Sequence, residues 1–297
     1  MSDKLRKVLT VLLLIVFTVS TGLTIRHGAD SVEGEESYGL AQQIAAQSKE
    51  TEEEPVALAE NATQETQPWE QKPTETEPEK PQTVWVPMLV KPDEHMQQLA
   101  DINLEALRKI NPDVVGWIMI PNTKINYPVV HGENNQHYLS HTWDNQKNSA
   151  GSIFMEENND PDFKDFRTII YGHNMANSTM FGSLHQYRNR AYWEKNPYVY
   201  LVTDEGVLRY EIYASYMAEV AGKTYALDID DRLKASFIQM TLDESEWDAD
   251  IQPAVTDRIL TLSTCAGNYD YRRVVHARLA MMEVEVKENS LQEIILQ

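Results

Sequence analysis

The chain has a single cysteine, Cys265, in 297 residues, so no intramolecular disulfide can form. A lone thiol has three available roles: core filler, redox handle or nucleophile. Basic residues are scarce as well, with 26 Lys and Arg against 46 Asp and Glu, a net charge of −20. Such an acidic balance does not match a polyphosphate backbone, and no nucleic-acid partner is expected. No internal repeat is visible. No group of residues has convincing metal-ligand spacing; the run Glu156-Glu157-Asn158-Asn159-Asp160 reads as a solvated loop rather than a calcium site, and neither metal nor cofactor is expected.

Long apolar runs are absent except at the amino terminus. There Lys4, Arg6 and Lys7 precede residues 8–25, an apolar stretch interrupted only by Thr, Ser and Gly. That length is close to the roughly 17–25 residues that cross a bilayer. Basic residues before the span predict a cytoplasmic amino terminus with everything after it outside the cell. The competing reading is a cleaved signal peptide, but Ser20-Thr21-Gly22 is a poor cleavage site, which favours an uncleaved anchor over residues 1–28.

Residues 29–84 change character, being rich in Glu, Thr, Gln and Pro. They carry 14 acidic and 3 basic residues, a net of −11. So little apolar surface cannot offset the entropy of ordering, and a solvated tether is expected, with a reach on the order of 40 Å. From residue 85 to 297 the pattern becomes that of one globular domain. Met96, Leu99, Ile102, Ala106 and Ile110 recur at helical spacing before Asn111-Pro112, predicting an amphipathic helix. Short β-like runs follow at 114–120, 125–130, 152–155, 168–171, 198–202, 207–217, 258–264 and 272–286, with a longer helical stretch at 230–246. Many short strands with frequent turns predict a mostly β, closed or sandwiched domain.

Cys265 ends the run Ile259-Leu260-Thr261-Leu262-Ser263-Thr264-Cys265, and a polar turn leads to Arg272-Arg273-Val274-Val275-His276. Composition alone favours filler. A thiol at a strand end beside a cationic strand, however, is placed where a thiolate or oxyanion is stabilised. A nucleophilic cysteine needs a group that exchanges protons near neutral pH, usually histidine. Of the eight histidines, His173 stands out, because it follows the strand-like Thr168-Ile169-Ile170-Tyr171-Gly172 and so sits where a strand opens into a cleft.

Taken together, Tyr171-Gly172-His173-Asn174-Met175, Thr261-Leu262-Ser263-Thr264-Cys265 and Arg272 before Val274-Val275-His276-Ala277 resemble the His, Cys and Arg motifs of sortases, membrane-anchored cysteine transpeptidases of Gram-positive bacteria. Gly116-Trp117-Ile118-Met119-Ile120-Pro121, Ile125-Asn126-Tyr127-Pro128-Val129-Val130, Gly151-Ser152-Ile153-Phe154-Met155 and Met180-Phe181-Gly182 are similar to class B members. The likeness covers about residues 95–286. It implies an eight-stranded β-barrel with an N-terminal helix and a longer helix before the cysteine strand. It also implies that Cys265 attacks the carbonyl of a threonine in a carboxyl-terminal sorting motif of a secreted protein. His173 then protonates the departing amine, and Arg272 stabilises the oxyanion or positions the motif. The thioester would pass to an amine, from a peptidoglycan precursor or from a pilin lysine.

Arg272 and Arg273 face opposite ways on a strand, and the family's pattern favours Arg272. Ser263, Thr264 and Tyr225 are the residues expected to touch substrate, Tyr225 because the segment between the strands before the cysteine walls the motif groove in this family. Two further readings stay open: a cysteine peptidase that hydrolyses its own thioester, and a non-catalytic tethered surface module with an inert thiol.

Overall fold

The computed structural model describes residues 32–47, 83–227, 229–265 and 270–287, with Cys265 described by its backbone. The anchor expected over 1–28 and most of the tether expected over 29–84 lie outside these residues. Among the described residues no helix is long and apolar enough to cross a membrane.

Residues 32–45 form a helix, α1, where the composition predicts tether. Its apolar residues share one face: Tyr38, Ala41, Ile44 and Ala45 recur three, four and seven positions apart, and all are buried. Polar contacts fix the same helix. Trp143 Nε1 donates to the Ser37 carbonyl at 3.0 Å, Asn103 N donates to the Ala45 carbonyl at 2.9 Å, and the Tyr38 ring packs edge-on against Tyr127. The helical stretch expected over 96–110 divides in two, α2 (Glu94–Leu99) and α3 (Leu104–Arg108). The division follows from the side chains. Asp93 and Asn103 each accept a hydrogen bond from a backbone N–H three residues on, so each starts its own helix.

Eight strands close into a barrel: β2 (Val114–Met119), β3 (Asn126–Val130), β4 (Ile153–Met155), β5 (Arg167–His173), β6 (Tyr198–Thr203), β7 (Gly206–Glu219), β8 (Ile259–Cys265) and β9 (Tyr271–Leu279). Their order around the barrel is β2-β3-β4-β5-β8-β9-β7-β6. Closure leaves no unpaired edge strand and encloses a core that includes Trp117, Phe154, Ile170, Tyr210, Leu260, Leu262 and Val275. A short helix, α4 (Arg190–Trp193), precedes β6, and α5 (Asp231–Asp243), capped by the Asp230 carboxylate, precedes β8. The single strand expected over 272–286 is two: β9 ends at Leu279, and β10 (Met281–Lys287) pairs antiparallel with β1 (Thr83–Leu89) as a separate two-stranded ladder.

Two parallel neighbours, β5 and β8, carry the predicted site. Their ladder runs from Arg167↔Ile259 to His173↔Cys265. Neighbouring side chains on a strand point to opposite faces. Tyr171 therefore shares a face with His173, and Ile170 and Leu262 enter the barrel core.

Candidate active site

His173 is the last residue of β5 and Cys265 the last of β8, at paired positions of the parallel ladder. Residues so far apart in sequence become neighbours because both strands end at one rim of the barrel. Close packing leads the chain to His173. A Cβ on Gly172 would lie 2.5 Å from Ile153 Cδ1 and 2.8 Å from the Phe181 ring, so only glycine fits there. The imidazole is half-buried, and its Nε2 lies 2.7 Å from the Leu139 carbonyl oxygen. A carbonyl can only accept, so Nε2 carries a proton, and in the neutral ring Nδ1 is the basic nitrogen. Gly151, at φ +58°, packs against the same ring: a Cβ there would approach His173 Cδ2 to 2.9 Å.

The two candidate arginines have separated. Arg273 is buried, and its guanidinium donates to both carboxylate oxygens of Glu246, at 2.7 and 3.1 Å, in a bidentate pair. Arg272 is partly exposed and donates from Nη1 to the Thr264 carbonyl at 3.2 Å. The β8–β9 ladder pairs Ile259↔Arg278 through Ser263↔Val274, so the end of β8 that carries Cys265 adjoins the end of β9 that carries Arg272. The structure thus brings Cys265, His173 and Arg272 to the ends of three consecutive strands, β5-β8-β9.

Among the expected substrate contacts, Ser263 and Thr264 are fully buried. The Thr264 hydroxyl accepts from the Arg273 backbone N–H at 3.1 Å and helps hold the rim of β9. Ser263 shares a hydrogen bond of 2.8 Å with the Tyr225 hydroxyl. Tyr225 is half-buried and stacks on Tyr171 with centroids 6.5 Å apart.

Sequence reasoning did not find what holds Tyr225. The turn Lys223–Tyr225 is tied down by Arg167, buried at the start of β5, which donates to the carbonyls of Thr224 and Ala226 and lies over the Phe237 ring of α5 at 4.9 Å. Burial lowers its pKa to about 10, so it stays a cation at neutral pH. Beside it, Thr261 Oγ1, His276, Tyr216 OH and Thr224 Oγ1 form a buried chain of hydrogen bonds with links of 3.0, 3.1 and 2.9 Å. Burial, helped by Arg167, depresses the His276 pKa to about 3, so this second histidine is a neutral structural member of the layer under the site. An arginine opening a strand gives no sequence signal of this function, because its acceptors are backbone carbonyls of a turn 57 and 59 residues away.

A family model for the sortase domain matches residues 118–280, more than half of the chain. The chain belongs to the sortase family. It is 34% identical to sortase B of Listeria monocytogenes over 183 residues, which is 59% of this chain and 73% of that protein. To sortase B of Staphylococcus aureus it is 32% identical over 192 residues, 64% and 77% of the two chains. The crystal structure of the staphylococcal enzyme superposes with a TM-score of 0.59 at 30% identity, covering 64% of this chain and 95% of that one. The Staphylococcus aureus sortase B–substrate complex gives 0.57 at 32%, covering 60% and 84%. The chain is therefore a class B sortase, a cysteine transpeptidase on an eight-stranded barrel.

Proposed function

We propose that this sortase cleaves a sorting motif near the carboxyl end of secreted proteins after a threonine, keeps the acyl fragment as a thioester on Cys265, and transfers it to an amine of cell-wall peptidoglycan. The observation that carries the reading is the pairing of His173 with Cys265 at the ends of adjacent parallel strands. In the first half-reaction the Cys265 sulfur attacks the threonine carbonyl carbon, and His173 gives a proton to the departing amine. In the second, an incoming amine attacks the thioester carbon and gives its proton to His173, and the sulfur leaves. Arg272 faces the developing oxyanion or the peptide carbonyls near it. Its partial exposure supports that role, and Arg273, buried against Glu246, is a structural residue.

Tyr225 is the proposed substrate contact, held by Ser263 and by the Arg167 clamp, and Thr264 acts by fixing the rim on which Arg272 sits. A related sortase B from Staphylococcus aureus is solved as a substrate complex, which supports binding of a sorting-motif substrate by this chain. Residues 1–28 serve as a single-pass membrane anchor with the catalytic domain outside the cell, where secreted proteins and cell-wall amines meet. A pilin lysine is the alternative acceptor. The His–Cys chemistry is tested by His173→Ala: alkylation of Cys265 should slow, and motif-peptide cleavage should be lost. Both rates unchanged would refute it.

A further inference from the structure

The acceptor for the His173 Nε2 proton, the Leu139 carbonyl, comes from a loop 34 residues away in sequence. That carbonyl ends the single helical turn His137–Leu139, which is too short to hold its own shape. The residue before it supplies the anchor. Tyr138 is fully buried, and its hydroxyl donates to Asp113 Oδ2 at 2.7 Å and accepts from Asn111 Nδ2 at 2.8 Å. Burial raises the pKa of this phenol, so the donated proton stays in place. Asn111 Nδ2 also donates to the Trp143 carbonyl, which ties a second point of the loop to the same side chain. Ser152 brackets Leu139: its N–H donates to the Tyr138 carbonyl and its Oγ to the His141 carbonyl, both at 2.8 Å. Gly151 fills the space between loop and imidazole. A Cβ there would come within 2.7 Å of the Tyr138 carbonyl oxygen and 2.9 Å of the Leu139 carbonyl oxygen.

We infer that Tyr138 is a positioning residue for proton transfer: through the Leu139 carbonyl it holds His173 in the tautomer with Nε2 protonated and Nδ1 basic. The inference rests on the transpeptidase reading above and adds what selects the working nitrogen. Which nitrogen of a neutral imidazole carries the proton is set by the hydrogen bond that the other atoms around the ring offer it. With the carbonyl displaced, part of the enzyme carries its proton on Nδ1 and its lone pair on Nε2. That fraction cannot take the proton of an incoming amine at Nδ1. Tyr138 lies beneath the loop, away from solvent, so its loss falls on kcat and leaves motif binding alone.

Long-range proton–nitrogen NMR of the histidine rings tests this on the full-length chain in detergent micelles at alkaline pH, since the cross-peak pattern separates Nε2–H from Nδ1–H rings. The chain has eight histidines, and the His173 signals are those that vanish in His173→Gln. The native protein should show His173 with its proton on Nε2. Tyr138→Phe keeps the ring and removes the hydroxyl; it should give a mixture of tautomers, with kcat for motif peptides lower by roughly tenfold and KM within about twofold of native. Asp113→Ala withdraws the acceptor at a partly exposed position and should give the same signature in weaker form, which decides the matter if the buried variant fails to fold. Asp113→Asn still offers the hydroxyl an oxygen and should keep the native pattern and rate. A native Nε2–H pattern in the folded Tyr138→Phe and Asp113→Ala proteins, a mixed pattern already in the native chain, or a rise in KM with kcat unchanged would overturn the assignment. The ring spectra are read without substrate, so a failure to turn over any peptide would count against the transpeptidase reading alone.

Discussion

Replacing Arg272 with lysine keeps a cation at the end of β9 but removes the planar fork that can bind two acceptors at once. Motif cleavage by Arg272→Lys should therefore fall by roughly 10- to 1,000-fold with little change in unfolding midpoint. Arg273→Met should behave the opposite way. It removes one partner of a buried ion pair, and the Glu246 carboxylate, itself about a third exposed at 35%, is left with water on one side only. A loss of about 2 kcal/mol of stability is expected in urea unfolding, with the remaining folded enzyme still able to form a thioester. His173→Gln should cost about 100- to 10,000-fold in kcat/KM for motif peptides, because proton transfer is lost while the fold is kept. The strand-end positions of Cys265, His173 and Arg272 were legible in the sequence because each sits in a local motif. The separation of the two arginines was legible only as strand parity; which one the core takes depends on Glu246, 27 residues distant on another segment.

The turn that carries Tyr225 stays in place because β5 supplies a buried cation to its carbonyls and β7 and β9 supply Tyr216 and His276 beneath it. Arg167→Met keeps the apolar stem over Phe237 but leaves those carbonyls without their donor. The expected result is a raised KM for motif peptides with a smaller effect on kcat, since Tyr225 is displaced while Cys265 and His173 are not. An equal fall in kcat with KM unchanged would assign Arg167 a different role. The strands were readable from alternation and turn residues, and the barrel's strand count emerged from them. The caps at Asp93 and Asn103 that divide α2 from α3 are standard capping residues, but the apolar spacing continued across them and masked the break. Helix α1 was hidden for a different reason. Tyr38, Ala41, Ile44 and Ala45 do form a stripe, yet averaged over residues 29–84 they are outweighed by 14 carboxylates, and the surface they cover belongs to the distant barrel.

For the whole molecule, α1 belongs to the same compact unit as residues 91–280 and packs its buried face there. Deleting residues 1–48 should remove about 3 kcal/mol of burial and hydrogen bonding and lower Tm by roughly 6–12 °C. An unchanged Tm would mean that the helix contributes nothing to the stability of the barrel. Acid should also weaken the fold through His276. Its pKa is 6.5 when unfolded and about 3 when folded, so the unfolded chain takes up the proton first. The stability this histidine provides is complete above pH 6.5 and is lost as pH falls toward 3, at up to about 1.4 kcal/mol per unit. The stability difference between the native chain and His276→Gln should shrink over that window by the same slope, and a constant difference would exclude His276 as the linked group.

In the proposed reaction a covalent intermediate forms on Cys265 and is resolved by an amine. Mass spectrometry of the full-length chain incubated with a panel of sorting-motif peptides, with and without triglycine, tests it most directly. The expected result is a thioester adduct on Cys265 that disappears when triglycine is added, together with a peptide–triglycine product. Motif peptides cleaved only to free acids at every triglycine concentration, or cleaved equally well by Cys265→Ala, would contradict it.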